Sequence, residues 1–219
     1  MAVGGRGRGV AAAAAVAWVL FAAAVFGYIE PSRIQQIERK YGPFAAARFR
    51  YLNELYDTLK NADIRTKLDE VNDFWNGVRY APDMKVWGKR DYWATPFEFL
   101  LKDRGDCEDY VIAKYFTLKN LGVDPKKLYF VYVKVRGYKR SHMVLAYYEK
   151  PGAEPLILDS INLRVFPASR RKDILPVYTF NGELLERYRD HSRQGLRSKE
   201  RTVRRKWEDL IHRMQRNGI

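Results

Sequence analysis

A switch of hydrophobic period at Pro125 divides this chain into a helical half and an extended half. Before it, Ala45, Phe49, Leu52, Tyr56 and Leu59 recur at steps of three and four, and Ile64, Leu68, Val71 and Trp75 repeat that spacing. Pro43 opens the first of these amphipathic helices and Asn76-Gly77 stops the second. Thr95-Pro96-Phe97-Glu98 carries an N-cap threonine, a first-turn proline and a capping-box glutamate, which predicts a short helix running to about Arg104. Gly105 breaks it, and Asp106 caps a further helix with Val111, Ile112, Tyr115 and Phe116 on its apolar face, ending at Asn120-Leu121-Gly122. After Pro125, Leu128–Val135 and His142–Tyr148 read as a hairpin closed by a turn containing Gly137. A third strand, 155–159, follows the Pro151-Gly152 turn and is expected antiparallel to the second. Helices followed by a run of strands predict an α+β fold, a helical N-terminal part packed on an antiparallel sheet.

The chain's two ends depart from this pattern. Arg6 and Arg8 precede a stretch from Val10 to Ile29 without a charged residue. That stretch reads as an export signal, with Ala22-Ala23-Ala24 as the small residues a signal peptidase accepts. It is also long enough to cross ~30 Å of hydrocarbon, so residues 1–29 are either a cleaved signal peptide or an N-terminal anchor. Both place the folded part, 30–190, outside the cytosol. Loss of Arg6 and Arg8 takes the net charge from +14 to +12, which then describes an exported surface and makes a nucleic-acid partner a poor expectation. From Arg187 onward there are eleven Lys or Arg against four acids, while Val203, Trp207, Leu210, Ile211 and Met214 form one helical stripe. Residues 191–219 therefore predict a basic amphipathic helix that packs on the domain, touches anionic inner-membrane lipid or engages a partner. His191 and His212 lie in this segment without a motif and read as solvated.

Chemistry is best sought at the single cysteine. One Cys and three His supply neither an intrachain disulfide nor the ligands of a structural zinc or iron–sulfur site. Cys107 falls in the first turn of a helix, where unpaired N–H groups and the positive end of the dipole favour a thiolate. His142 begins one strand and Asp159 ends its neighbour, so an imidazole between thiol and carboxylate gives a Cys-His-Asp arrangement. The same residue types also have structural readings: a small buried thiol, a hydrogen-bonded strand histidine and a turn-forming aspartate. Asp106, Glu108 and Asp109 surround Cys107 with negative charge that opposes the thiolate. Hard oxygen ligands in one turn suit Ca²⁺ better than zinc, and acids at a helix N-terminus also occur for the dipole alone.

The blocks Asp91-Tyr92-Trp93-Ala94-Thr95-Pro96, Gly105-Asp106-Cys107-Glu108-Asp109-Tyr110 with Ala113-Lys114-Tyr115, His142–Tyr148, Leu158-Asp159, and Pro167-Ala168-Ser169 with Arg171 and Asp173 occur in this order. Over roughly residues 32–190 the chain resembles the bacterial transglutaminase-like cysteine proteinases of the LapG type. The resemblance implies a papain-like, transglutaminase-type core and a periplasmic endopeptidase, with Cys107 as nucleophile, His142 as general base and Asp159 as orienting carboxylate. It implies calcium as cofactor, held by Asp106, Glu108 and Asp109. It implies a large surface adhesin as substrate, cut near its amino end at a di-alanine site to release cells from a biofilm, and a cyclic di-GMP-sensing inner-membrane receptor that sequesters the protease. The alternatives are a transglutaminase-type acyltransferase, an arylamine acetyltransferase with the same order of residues, and a noncatalytic exported binding module.

Overall fold

The computed structural model describes residues 27–183 and 198–216. Most of the expected export segment, and His191 with the start of the basic C-terminal segment, lie outside the described residues. Seven α-helices occur among those described: α1 (Pro31–Tyr41), α2 (Pro43–Leu59), α3 (Ile64–Asn76), α4 (Asp83–Val86), α5 (Pro96–Lys102), α6 (Cys107–Asn120) and α7 (Ser198–Arg216). Strands β3 (Leu128–Val135), β4 (Ser141–Tyr147), β5 (Leu156–Leu158), β6 (Phe166–Pro167) and β7 (Ile174–Phe180) form one antiparallel sheet in the order β6-β5-β4-β3-β7. Two short strands, β1 (Arg79–Tyr80) and β2 (Arg104–Gly105), pair in parallel just ahead of Cys107. The fold is α+β, as the order of helices and strands predicts.

The helices bury their apolar faces against one side of the sheet. Trp75 is fully buried and donates its indole N–H to Thr117 Oγ1 at 3.0 Å, which locks α3 to α6 through a satisfied polar contact. Phe130 of β3 meets Tyr115 of α6, Phe180 of β7 and Trp207 of α7 at ring separations of 4.9, 4.9 and 5.4 Å. The opposite side of the sheet carries Val131, Val133, Val135, Val144, Ala146 and Ile157 in a smaller cluster. With apolar residues on both faces, β4 is buried from His142 to Tyr147, so its register is strongly specified.

The C-terminal helix packs onto the domain. Val203, Trp207, Leu210 and Met214 are buried, and Arg213 reaches Glu98 and the Trp93 carbonyl. His212 is exposed. No helix among the described residues is long and apolar enough to cross a membrane.

Several details differ from the sequence expectations, among them the short elements β1, α4 and β6. Helix α5 stops at Lys102, short of Arg104, because Asp103 adopts the left-handed conformation at φ 52° and Arg104–Gly105 is drawn into β2. Helix α1 precedes Pro43, closed by Gly42 at φ 87°. Strand β7 was not expected, since Pro176 interrupts it and Leu175 and Val177 are exposed. An edge strand tolerates that proline, and the register shifts between Tyr132 and Val133 where it pairs.

Candidate active site

The helix that carries the cysteine begins in a tightly packed turn. Asp106 is the N-cap of α6, and three residues on the buried Asp109 turns its carboxylate back on the turn. Asp109 Oδ2 accepts the Asp106 N–H at 3.2 Å and Oδ1 accepts the Ala94 N–H at 2.8 Å. Gly105 makes room for it: a Cβ there would sit 2.3 Å from Asp109 Oδ2 and 2.8 Å from the Phe99 ring. Cys107 occupies the first helical position, half-buried, with Sγ 2.8 Å from Glu108 Oε2. Burial, then the Glu108 carboxylate, push the thiol well above its ordinary pKa, against a Met143 backbone N–H that favours the thiolate.

Strand β4 brings the imidazole to the same place. Cys107 and His142 line one cleft with Tyr80, Asp106, Glu108 and Tyr132. His142 Nε2 lies 2.6 Å from Asp159 Oδ1, which leaves Nδ1 as the ring nitrogen without that partner. Asp159 is fully engaged. Its Oδ1 also accepts the Ile161 N–H at 3.0 Å, and its Oδ2 accepts from Arg171 at 2.6 Å. Burial alone would raise this carboxyl, but hydrogen bonds and charge from His142, the Ile161 N–H and Arg171 outweigh it and hold it well below the usual carboxylate range. Arg171 in turn grips Asp173 through two further bonds.

The acids beside Cys107 are in the reverse condition. Asp83, Asp106 and Asp109 bring carboxylate oxygens within 4.8 Å of one another, and Glu108 groups instead with Asp106 and the thiol. Asp83 Oδ1 and Asp106 Oδ1 are buried without a hydrogen-bond partner. Burial, followed by neighbouring carboxylates, pushes Asp106 up to about 10; burial, set against the Tyr92 N–H, pushes Asp83 up to about 6. Asp109 is raised well above its ordinary value, by burial first. A cluster of three carboxylates, two of which keep an orphaned oxygen, fits a hard divalent cation, whose coordination uses oxygen ligands.

Of the expected residues, the structure thus places Cys107 and His142 on one cleft, joins His142 to Asp159, and gathers Asp106 and Asp109 into a carboxylate cluster. Glu108 sits on the sulfur side of that cluster. Sequence reasoning missed Asp83, which opens the single-turn helix α4 and reaches the cluster from another part of the chain. The available signal was coordination number: carboxylates of one helical turn underfill a cation that takes six to eight oxygens.

A family model described as bacterial transglutaminase-like cysteine proteinase matches residues 52–172, a span holding Asp83, Cys107, His142 and Asp159. Legionella pneumophila LapG has a similar structure, 35% identical, covering 86% of this chain and 99% of that one, with a TM-score of 0.68. Its calcium-bound form is similar at 37% identity, 85% and 99% coverage and TM-score 0.67, and its EGTA-treated form at 35%, 86%, 99% and 0.67. None of the curated proteins compared matches the chain.

Proposed function

The chain belongs to the bacterial transglutaminase-like cysteine proteinases, and from that premise we propose that it is a calcium-dependent endopeptidase working through Cys107, His142 and Asp159. The observation that carries this reading is the shared cleft: a thiol at a helix start lines it together with an imidazole whose Nε2 lies 2.6 Å from a buried, ionised aspartate.

The chemistry follows from these groups. His142 takes the thiol proton as Cys107 Sγ attacks the scissile carbonyl, and the new C–S bond gives a tetrahedral adduct. The Cys107 backbone N–H, which has no intrahelical acceptor at the first helical position, donates to its oxyanion. His142 returns the proton to the departing amine as the C–N bond breaks, then activates water to cleave the thioester. Asp159 fixes the imidazole tautomer and stabilises its charged form, with Arg171 and the Ile161 N–H holding the carboxylate in place.

Calcium fits the carboxylate cluster: Asp83, Asp106 and Asp109 would hold it, with Glu108 beside the sulfur. When bound, it supplies the positive charge that these acids lack and so favours the thiolate at Cys107. The LapG structures solved with calcium and after EGTA support this reading.

The wider role we propose follows the family likeness and the uncharged N-terminal stretch. The protease is exported to the periplasm and cuts a large surface adhesin near its amino end at a di-alanine site. A cyclic di-GMP-sensing receptor of the inner membrane restrains it. The test is incubation of the protein with an adhesin amino-terminal fragment, with and without EGTA. A labelled amine is included, and Cys107→Ala is run in parallel. Calcium-dependent cleavage that needs Cys107 is expected. Incorporation of the amine in place of cleavage would make the chain an acyltransferase, and cleavage by Cys107→Ala would remove the mechanism.

A further inference from the structure

Lys114 is fully buried, and none of the proton transfers above involves it. It lies on α6, two turns beyond Cys107 and about 10 Å along the axis. Its ammonium has three N–H donors and meets three oxygens: Asn72 Oδ1 at 2.8 Å, Asn76 Oδ1 at 2.8 Å and the Asp159 carbonyl at 3.0 Å. The two asparagines on α3 extend the net. Asn76 Nδ2 donates to the same Asp159 carbonyl at 2.9 Å, and Asn72 Nδ2 donates to the Leu163 carbonyl at 2.6 Å.

We propose that Lys114, with Asn72 and Asn76, is a positioning residue for Asp159: it holds the Asp159 main chain where the carboxylate meets His142, and ties that contact to the helix carrying Cys107. The main-chain carbonyl is clamped from this side while His142, the Ile161 N–H and Arg171 hold the carboxylate from the other. The arrangement is an expensive one. Burial pushes Lys114 down to about 7, against the pull of Asp159 and Asp73, and the Tyr110 ring lies 5.9 Å from its ammonium. An apolar side chain of the same length would fill the space without that cost, but would leave the Asp159 carbonyl short of a charged donor.

This role rests on Asp159 orienting His142, and the test separates the two claims. The full chain in calcium-containing buffer is alkylated at Cys107 with iodoacetamide across neutral pH, as wild type, Lys114→Met, Asn76→Ala and His142→Ala, each with a thermal melt. Lys114→Met is expected to slow alkylation at neutral pH by at least about tenfold and to alter its pH profile in the direction of His142→Ala. Asn76→Ala, half-buried at the end of α3, is expected to do the same to a smaller degree. It decides the matter if Lys114→Met does not fold. A lowered melt with the wild-type alkylation profile would reduce Lys114 to a purely structural residue and overturn the proposal. A profile that His142→Ala leaves unmoved would instead sink the Cys-His-Asp reading.

Discussion

Two groups of buried carboxylates flank the same cleft in opposite physical states. Asp159 is closed off by partners and ionised at any ordinary pH. Asp83, Asp106 and Asp109 crowd one another, keep two orphaned oxygens and hold their protons well above the usual range. Burial penalises both groups. What differs is compensation: the fold brings Arg171 and an imidazole to the first, and no cationic side chain hydrogen-bonds to or ion-pairs with the second among the described residues. One half of the site is complete within the chain, and the other is left with uncompensated carboxylates that the proposed cation would complete.

The largest effect expected from breaking this contrast lies where both halves act, at the thiol. Cys107→Ala should remove proteolysis by about 10⁴-fold or more, as loss of a nucleophile does, with a melt near wild type. Assay of adhesin-fragment cleavage against thermal unfolding checks it. Next comes the self-sufficient half. Arg171→Met strips the buried guanidinium from Asp159 and leaves its charge half-paired, which should cost about 3–5 kcal/mol in urea unfolding as well as most of the activity. A variant as stable as wild type would show that the Arg171 contact is not what holds Asp159 ionised.

The cation-dependent half should respond to calcium alone. Saturating the site at about a hundred times its Kd should add about 2.7 kcal/mol to unfolding, seen as a raised melting temperature that EGTA reverses. Asp83→Asn should weaken that rise while leaving the metal-free melt unchanged or higher, because it removes a like charge from an uncompensated cluster. A calcium-induced shift undiminished in Asp83→Asn would exclude Asp83 from the site.

The two halves also differed in how far the sequence disclosed them. Cys107, Asp106, Glu108 and Asp109 are consecutive or nearly so, and a capping residue before an apolar period marks their helix start without tertiary information. His142 and Asp159 were legible as residues at a strand's beginning and a neighbouring strand's end, positions that antiparallel pairing places side by side. Asp83 was not, since a four-residue helix has too little period to read and its carboxylate meets the others only through the packing of α4 near β2. The Lys114 net was hidden for a related reason. A lysine on an apolar helix normally reads as solvent-facing, and only the approach of Asn72 and Asn76 from α3 shows where its charge goes. Strand β7 escaped because Pro176 and an exposed edge erase the alternation that strand reading depends on.

Stability should also depend on pH, and here the two halves pull in opposite directions. Asp83 and Asp106 have folded pKa values above those of the unfolded chain, so the folded state binds more protons than the unfolded one in the window between. Their contribution is fully present below about pH 4, the ordinary carboxylate value, and is lost as pH rises: through about 6 for Asp83, and on toward 10 for Asp106. Asp159 behaves the other way, because its folded pKa is depressed. It stabilises above the unfolded value and is lost as pH falls below about 4. In EGTA the melting temperature should therefore decline from about pH 4 to 6, by several degrees for each kcal/mol involved. Calcium should flatten that decline by supplying the missing charge, and Arg171→Met should change only the acid side. An EGTA melt that rises steadily through this window would mean that the cluster is already compensated within the chain, and the contrast between the two halves would fail.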